Sequence, residues 1–366
     1  MKTQKTINLM APICSNTGYG VTSTSITKAF INNGCSVCLF PIGQMTVDNE
    51  QDKKIILESV NKASNSWDKK NPCLKIWHSF ELANRIGSGK YGALTFFEID
   101  KIKDNEKNMM NNTDVMFVSS KWAVDILKEN NITPEVFVCP LAVNTSIFYP
   151  RPKTEIKEDT NKEKSYKFIN IGKWEVRKGH DILVEAFNYA FNIEDNVELY
   201  MINHNPFLSP QENQIWIDLY KKTKMGPKIK IIGRVPSQKD LAEIIDEVDC
   251  GVFPARAEGW NNEILEVMAM NKAIIATDYS AHTEYCSPEN SMLIKIDKLV
   301  KADDGKFFDG FGRWADLGKN QVEQLVLYMR QAYSEKVRVN ENGLETSKKF
   351  TWEKTASILE NSLLDI

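Results

Sequence analysis

The segment CGVFPARAEGWNNEILEVMAMNKAIIA, residues 250–276, contains one complete strand–helix–strand unit. Two short apolar runs, Cys250 to Phe253 and Ala273 to Ala276, have the length and the polar bounds of buried strands. Between them the chain has the length and the amphipathic pattern of a helix. Because crossovers of this kind join parallel strands, the segment predicts a parallel sheet that is covered by helices on both faces.

The same alternation extends in both directions and predicts two α/β domains. In the first, strands are predicted at 6–12, 36–41, 74–77, 93–97, 115–119 and 135–141. In the second, they are predicted at 167–171, 197–202, 229–232, 250–253, 273–276 and 291–294. We therefore expect an N-terminal Rossmann-like domain over 1–150, a polar linker over 151–166 and a C-terminal Rossmann-like domain over 167–345. A last helix, within 346–366, is expected to pack back toward the N-terminal domain, and two facing sheets would enclose an interdomain cleft.

Composition excludes several classes of protein. The 366 residues carry 46 Lys and Arg against 49 Asp and Glu, a formal charge of −3, which argues against a nucleic-acid binder. No apolar run approaches the roughly 18 residues that a membrane helix needs. Seven cysteines and four histidines show no metal-ligand spacing, so we expect no metal site, no cofactor, and a cytoplasmic protein with reduced thiols.

A glycine pair follows the first predicted strand. Gly18-Tyr19-Gly20 supplies two glycines of the dinucleotide-binding fingerprint, but Ser23 stands at the third position. No acidic residue closes the second strand, and Asp48 lies beyond it, so a nicotinamide-dependent dehydrogenase is disfavoured. Two interpretations stay open: backbone N–H groups that hold a phosphate or a sugar hydroxyl, or a tight turn that simply needs glycine.

The second domain opens with GKWEVRKGH, residues 172–180. Lys173, Arg177 and Lys178 stand between a strand end and a helix start, where compact positive charges could neutralise a diphosphate. The alternative is an ordinary solvated loop.

Two glutamates follow with seven residues between them. Glu258 is predicted in the loop after a strand and Glu266 inside the next helix. Gly259 lets the backbone approach a ligand, and the helix start offers N–H groups to a phosphate, while a deeper carboxylate could accept two ribose hydroxyls. The alternative is a capped amphipathic helix with two ordinary glutamates.

Taken in order, the lysine–glycine turns, the glutamate pair and residues 278–285 closely resemble the retaining glycosyltransferases of family four. The likeness is strong over residues 167–296 and weaker but collinear elsewhere. It implies the GT-B fold and transfer of a sugar from a nucleoside-diphosphate-sugar to a hydroxyl of a glycan, a lipid or another acceptor. It also implies retention at the anomeric carbon and no need for a metal.

The resemblance implies roles for individual residues. The donor diphosphate would meet Lys178, Lys173 and the turn formed by Gly18, Tyr19 and Gly20. The donor sugar would meet Glu258 and the segment formed by Gly259, Trp260, Asn261 and Asn262. The ribose would be held by Glu266, and the base would lie near Arg234 and Val235.

The sequence departs from the family pattern at several positions. Lys173 stands where arginine is usual, Asn271-Lys272 replace a glycine, and Ser280-Ala281 begin a turn that is usually rich in glycine. A family histidine near the reacting carbon has two candidate counterparts, His78 and Glu98, and together with Glu258 they complete the expected catalytic set.

Other readings remain open at this level. A nucleotide-sugar epimerase would use the same site without an acceptor, and a non-catalytic GT-B subunit would support an active partner. The lysines at 53–54, 69–70 and 75 are compatible with contact at an anionic membrane surface, or with an ordinary solvated face. The sequence does not indicate an oligomeric state. The aromatic segment 306–314 is expected to be a loop that braces the second domain rather than one that covers the site.

Overall fold

The computed structural model describes residues 5–15, 17–151 and 164–364. The chain forms two compact units, one of Met1–Ala142 with Phe350–Ile366 and the other of Val143–Lys349. The boundary between the units falls after Ala142, whereas the sequence predicts that the first domain ends at residue 150. Most of the linker expected over 151–166 lies outside the described residues. Within the described part, no helix is both long enough and apolar enough to cross a bilayer.

Unit 1 contains a sheet of six parallel strands in the order β2-β1-β3-β4-β5-β6. The strands are β1 (Thr6–Ala11), β2 (Ser36–Pro41), β3 (Cys73–Ile76), β4 (Tyr91–Leu94), β5 (Val115–Val118) and β6 (Glu135–Val138). The helices between them are α1 (Gly18–Asn32), α2 (Glu50–Asn65), α3 (Asp104–Met110) and α4 (Lys121–Glu129). Strands β3, β4 and β5 are buried along their whole length, as the apolar runs predict.

Unit 2 contains a second parallel sheet of six strands in the order β12-β11-β10-β7-β8-β9. The strands are β7 (Tyr166–Gly172), β8 (Val197–Asn203), β9 (Ile229–Ile231), β10 (Cys250–Phe253), β11 (Ala273–Thr277) and β12 (Met292–Ile294). The helices are α5 (His180–Ala190), α6 (Pro210–Lys221), α7 (Gln238–Asp246), α8 (Asn262–Ala269), α9 (Lys319–Ser334) and α10 (Glu341–Ser347). Helix α11 (Trp352–Leu363) lies in unit 1, where the Thr355 hydroxyl donates to the Pro140 carbonyl at 2.7 Å.

The segment expected to be a loop over 306–314 is largely a strand. Strands β13 (Leu299–Asp303) and β14 (Asp309–Ala315) form an antiparallel hairpin. Gly310 and Gly312, at φ 82° and 76°, interrupt the alternation by which a strand is recognised in sequence. Trp314 is buried against Phe308, and the Ala315 N–H donates to the Arg256 carbonyl at 3.0 Å, so the hairpin braces the loop after β10.

The start of the first helix also differs from the prediction, which placed it near residues 22–24. Helix α1 begins at Gly18 because Thr17 caps it, accepting a hydrogen bond from the Gly20 N–H at 3.2 Å. The glycine pair therefore belongs to the first helical turn rather than to a turn before the helix. Gly20 is required there, since a Cβ atom would lie 2.2 Å from the Cys14 carbonyl oxygen.

Candidate functional site

The carboxyl ends of β7 and β10 mark the point where the strand order of unit 2 reverses. Strand β7 pairs with β8 on one side and with β10 on the other, so the chain leaves these two strands in opposite directions. Open parallel sheets bind ligands at such switch points. The loops at this point are 173–179 after β7 and 254–261 after β10, which contain six of the ten site residues predicted in unit 2.

These two loops touch through their backbones. The Arg256 N–H donates to the Arg177 carbonyl at 2.7 Å. Gly179 adopts φ 73°, and a Cβ atom there would lie 1.9 Å from the Pro254 carbonyl oxygen. Glycine at 179 is thus required both by its backbone conformation and by the close approach of the loops. The contact sets the position of Lys178 relative to Glu258.

A chain of alternating charges runs through the site. Lys178 Nζ lies 2.6 Å from Glu258 Oε1, and Arg177 Nη1 lies 2.7 Å from Glu258 Oε2. Arg177 Nη2 also contacts Glu175 at 2.7 Å, and Lys173 Nζ contacts the other oxygen of Glu175 at 2.8 Å. The side chains of Glu175, Arg177 and Glu258 are buried, whereas that of Lys178 is 11% exposed and that of Lys173 is 43% exposed. Two predicted ligand groups, Lys178 and Glu258, are therefore direct partners.

The cluster stays ionised because each buried charge has a partner. Burial raises the pKa of Glu258, but Arg177 and Lys178 outweigh it and hold that pKa at about 2. Burial lowers the pKa of Lys178, yet Glu258 and Glu263 leave it above its ordinary value. Glu175 is buried too, but Arg177 and Lys173 keep its pKa low. Three cations therefore face two carboxylates, which leaves one net positive charge among these five side chains.

Sequence reasoning named Arg177 only as one of three cations and did not single out Glu175. The structure shows that Arg177 ties Glu175 to Glu258 and also donates to the Ala257 carbonyl at 2.8 Å. The signal available in the sequence was the alternation of charge through Lys173, Glu175 and Arg177. It could indicate a paired cluster but could not identify a partner about 80 residues away.

Two of the positions that depart from the expected pattern, Ser280 and Asn271, adopt the left-handed backbone conformation that favours glycine. Ser280 adopts φ 56°, and its Oγ accepts a hydrogen bond from the Glu258 N–H at 2.9 Å. Asn271, two residues after the end of α8, adopts φ 59°, a conformation that asparagine tolerates better than most residues. Serine at position 280 lacks the backbone freedom of glycine, but its side chain accepts a hydrogen bond from the Glu258 N–H, which glycine could not do.

The predicted sugar-binding segment leads into α8. Asn261 has φ 84°, and its Nδ2 lies 3.1 Å from His282 Nε2. The Tyr285 hydroxyl donates to the Trp260 carbonyl at 2.6 Å, and the two rings pack with their centres 4.9 Å apart. Gly259, Trp260 and Asn261 are buried, and Asn262 is partly exposed at the first position of α8.

Glu266 lies in the second turn of α8 and is buried. Burial, with a smaller contribution from Glu263, raises the pKa of Glu266 to about 8, so the carboxyl group is largely neutral at pH 7. No cation in the described part of the chain pairs with it. The side chain can both donate and accept hydrogen bonds in this form.

Arg234 and Val235 lie in the loop after β9, at the same sheet edge. Arg234 is exposed and Val235 is partly exposed. Strand β9 is two positions from β7 in the sheet, which places its end roughly 10 Å away at ~4.8 Å per strand.

Unit 1 gathers its predicted residues at one edge of its own sheet. The Tyr19 ring lies 4.7 Å from that of His78 and 5.0 Å from that of Phe96, measured between ring centres. His78 and Glu98 follow the neighbouring strands β3 and β4, and both are partly exposed. Gly18 opens α1, and no atom of the described residues lies within 4 Å of a Cβ placed on it.

All seven cysteines are free thiols, and six of them are buried. Among the described residues, no group of three or more His, Cys, Asp or Glu side chains is arranged to hold a metal ion.

Comparison with known proteins matches the second unit most directly. Residues 165–304 match the family described as glycosyl transferases group 1. An uncharacterized glycosyltransferase of Methanocaldococcus jannaschii is 26% identical over 200 residues, 52% of this chain and 47% of the relative. The chain spans about half the length of this curated relative.

Solved structures resemble the whole chain. Sucrose-phosphate synthase from Thermosynechococcus elongatus aligns with a TM-score of 0.71 at 15% identity, covering 99% of this chain and 98% of that chain. HepE of Anabaena, solved in complex with UDP and glucose, aligns with a TM-score of 0.67 at 11% identity, covering 98% and 99%. These likenesses confirm the GT-B fold class that the sequence predicts.

Proposed function

We propose that this protein is a retaining glycosyltransferase that moves a sugar from a nucleoside-diphosphate-sugar to an acceptor hydroxyl without a metal ion. The observation that carries the proposal is the Lys178–Glu258–Arg177 cluster at the switch point of the unit 2 sheet. The match of residues 165–304 to glycosyl transferases group 1 covers this cluster and supports it.

The cations would bind the donor diphosphate. The side chain of Lys173 is 43% exposed and that of Lys178, in the same loop, is 11% exposed, so the two can meet the phosphates from the solvent side and from deeper in the site. A diphosphate would compete with Glu258 for Lys178, while Arg177 would continue to hold the carboxylate. Backbone N–H groups at the start of α8 would donate further hydrogen bonds to the negatively charged diphosphate.

The remaining donor groups fit the spacing of the sheet. Glu266 would bind the ribose hydroxyls, and the loop with Arg234 and Val235 would meet the base. The ends of β7 and β9 are roughly 10 Å apart, a distance that a nucleoside can span from phosphate to base. The UDP and glucose of the HepE complex support a uracil nucleotide as the first donor to test.

The transfer step breaks the bond between the anomeric carbon and the leaving phosphate oxygen. A bond from the acceptor oxygen forms on the same face, and the acceptor proton passes to the leaving phosphate. Glu258, with its pKa held at about 2, would remain an anion and stabilise positive charge developing on the sugar ring. The cations would stabilise the departing diphosphate. His78 or Glu98 is proposed as the further catalytic residue near the reacting carbon.

The acceptor is proposed only by class, as the hydroxyl of a glycan or a lipid-linked molecule. We further propose a cytoplasmic location, with contact at a membrane surface left open for a lipid-linked acceptor.

The test is a donor screen with product analysis. UDP-, GDP- and ADP-sugars are compared by thermal shift, because a ligand that binds the native state raises its apparent stability. The best donor is then incubated with candidate acceptors, with and without EDTA, and the anomeric configuration of the product is read by NMR. We expect a glycosylated acceptor of retained configuration at an unchanged rate in EDTA. An isomerised free donor would indicate an epimerase, and a complete lack of binding would favour a non-catalytic subunit.

A further inference from the structure

Asn261 holds a backbone conformation that favours glycine. Its φ of 84° and ψ of 78° lie in the left-handed region, and it is the residue directly before α8. It also stands three residues after Glu258, within the segment that is proposed to line the donor. A residue with a side chain needs a tether to remain in this conformation.

The tether is a hydrogen-bonded chain that passes through His282. The Nδ1 of His282 lies 3.1 Å from the Thr277 carbonyl, which can accept its proton. The opposite nitrogen, Nε2, then accepts from Asn261 Nδ2 at 3.1 Å. Thr277 in turn donates its hydroxyl to the Ala255 carbonyl at 2.6 Å, so the chain joins β11 to both ends of the loop after β10.

The charge state of the ring suits this role. His282 is fully buried, and burial lowers its pKa to about 4 despite the nearby Glu258. The ring is therefore neutral at pH 7 and keeps the lone pair that accepts from Asn261.

The side chain of Asn261 does nothing else that would explain an asparagine here. Its Nδ2 is committed to His282, it does not cap α8, and its Oδ1 is buried and accepts no hydrogen bond from any residue that the structure describes. Leaving a buried acceptor without a partner is costly, so this amide is poorly explained by packing alone.

We propose that His282 is a positioning residue for the donor site. By holding Asn261 in the left-handed conformation, it sets the direction of the backbone from Gly259 to Asn262 and of the first turn of α8. The identity of the ligand rests on the proposed function, whereas the effect on the backbone does not.

The first test uses the protein without nucleotide. Hydrogen–deuterium exchange is compared in the parent, His282→Ala, Asn261→Gly and the double variant. We expect His282→Ala to speed exchange of the amides at 260–263. Glycine adopts the required φ without a tether, so Asn261→Gly should retain slow exchange, and adding His282→Ala to it should change little. His282→Gln, which can still accept from Asn261, should resemble the parent.

The second test measures donor affinity and turnover in the same variants. We expect His282→Ala to weaken donor binding by roughly tenfold, the scale of one lost hydrogen bond, with a smaller change in kcat. The loss should be far smaller in the Asn261→Gly background. If His282→Ala leaves exchange at 260–263 unchanged, or costs the same in both backgrounds, the positioning role is wrong. If the parent binds no nucleotide-sugar while the exchange pattern holds, only the proposed function fails.

Discussion

Lys178 Nζ lies 2.6 Å from Glu258 Oε1, and this pair joins the first loop of the unit 2 sheet to the loop after its fourth strand. The lysine that is proposed to bind the donor diphosphate and the glutamate that is proposed to face the donor sugar therefore hold each other in place. Arg177 binds the second oxygen of the same carboxylate. A diphosphate could take Lys178 without leaving Glu258 unpaired.

Gly179 makes the approach of these loops possible, so Gly179→Ala should be strongly destabilising. The new Cβ would fall 1.9 Å from the Pro254 carbonyl oxygen, in addition to the strain of φ 73°. The matched control is Gly305→Ala, where φ is 69° and no atom of the residues that the structure describes lies within 4 Å of the new Cβ. The control should lose only the conformational part, roughly 1–2 kcal/mol. Urea denaturation gives both values, and equal losses would contradict the close contact.

Substitutions at Ser280 separate the energetic effect of its backbone conformation from that of its side-chain hydrogen bond. Ser280→Ala keeps the strain of φ 56° and removes the acceptor for the Glu258 N–H, so it should cost roughly 1–3 kcal/mol. Ser280→Gly also removes the acceptor but relieves the backbone, and should cost less. The free energies of unfolding of the two variants are compared by urea denaturation. A larger loss in Ser280→Gly than in Ser280→Ala would mean that the left-handed conformation of Ser280 carries no strain.

The depressed pKa of Glu258 predicts a stability change in acid. Its pKa falls from an ordinary 4.5 in the unfolded chain to about 2 in the folded protein. The stabilisation is therefore complete above pH 4.5 and is lost as the pH falls toward 2, by up to roughly 3 kcal/mol. Glu258→Gln cannot titrate, so the difference in unfolding free energy between parent and variant should shrink over that range. A difference that stays constant from pH 5 to pH 2.5 would refute the pairing.

The raised pKa of Glu266 predicts the opposite trend. The folded protein keeps the proton up to about pH 8, whereas the unfolded chain releases it above 4.5. The parent should therefore lose stability relative to Glu266→Gln as the pH rises from 4.5 to 8, by roughly 1.4 kcal/mol per unit. Thermal unfolding at several pH values measures the trend. In Glu263→Gln, which removes a neighbouring negative charge, the folded-state pKa of Glu266 should be lower, so the upper end of the range should fall below pH 8 while the lower end stays at 4.5.

Much of the fold could be predicted from the sequence because the strands of both sheets are buried on two faces and appear as short apolar runs. Strands β5 and β10 are four-residue apolar runs that are fully buried, which is typical of the interior strands of a parallel sheet covered by helices. The hairpin of β13 and β14 escaped prediction because its glycines hide the alternation. Helix α1 begins earlier than the sequence pattern predicts because Thr17, and not a residue near position 22, caps it.

Site residues that belong to a local sequence motif could be predicted. Contacts between site residues that are distant in the sequence could not. Lys173 and Lys178 stand out in one short loop, and Glu258 and Glu266 by their spacing. The ion pair of Arg177 with Glu258 and the hydrogen bond from Asn261 to His282 join residues that are not neighbours in the sequence. Such contacts follow from the sheet order, which no local pattern contains.

The most direct test of the central proposal is the affinity for the nucleoside diphosphate that the donor screen selects, measured by calorimetry in Lys178→Ala and in Lys298→Ala. Lys298 is 69% exposed and pairs with Asp316, so it controls for the loss of one positive charge. We predict that Lys178→Ala weakens binding by roughly 10- to 100-fold, as expected for a charge-assisted hydrogen bond to phosphate, and that Lys298→Ala binds like the parent. Equal affinity in Lys178→Ala and the parent would contradict the assignment of this cluster to the donor diphosphate.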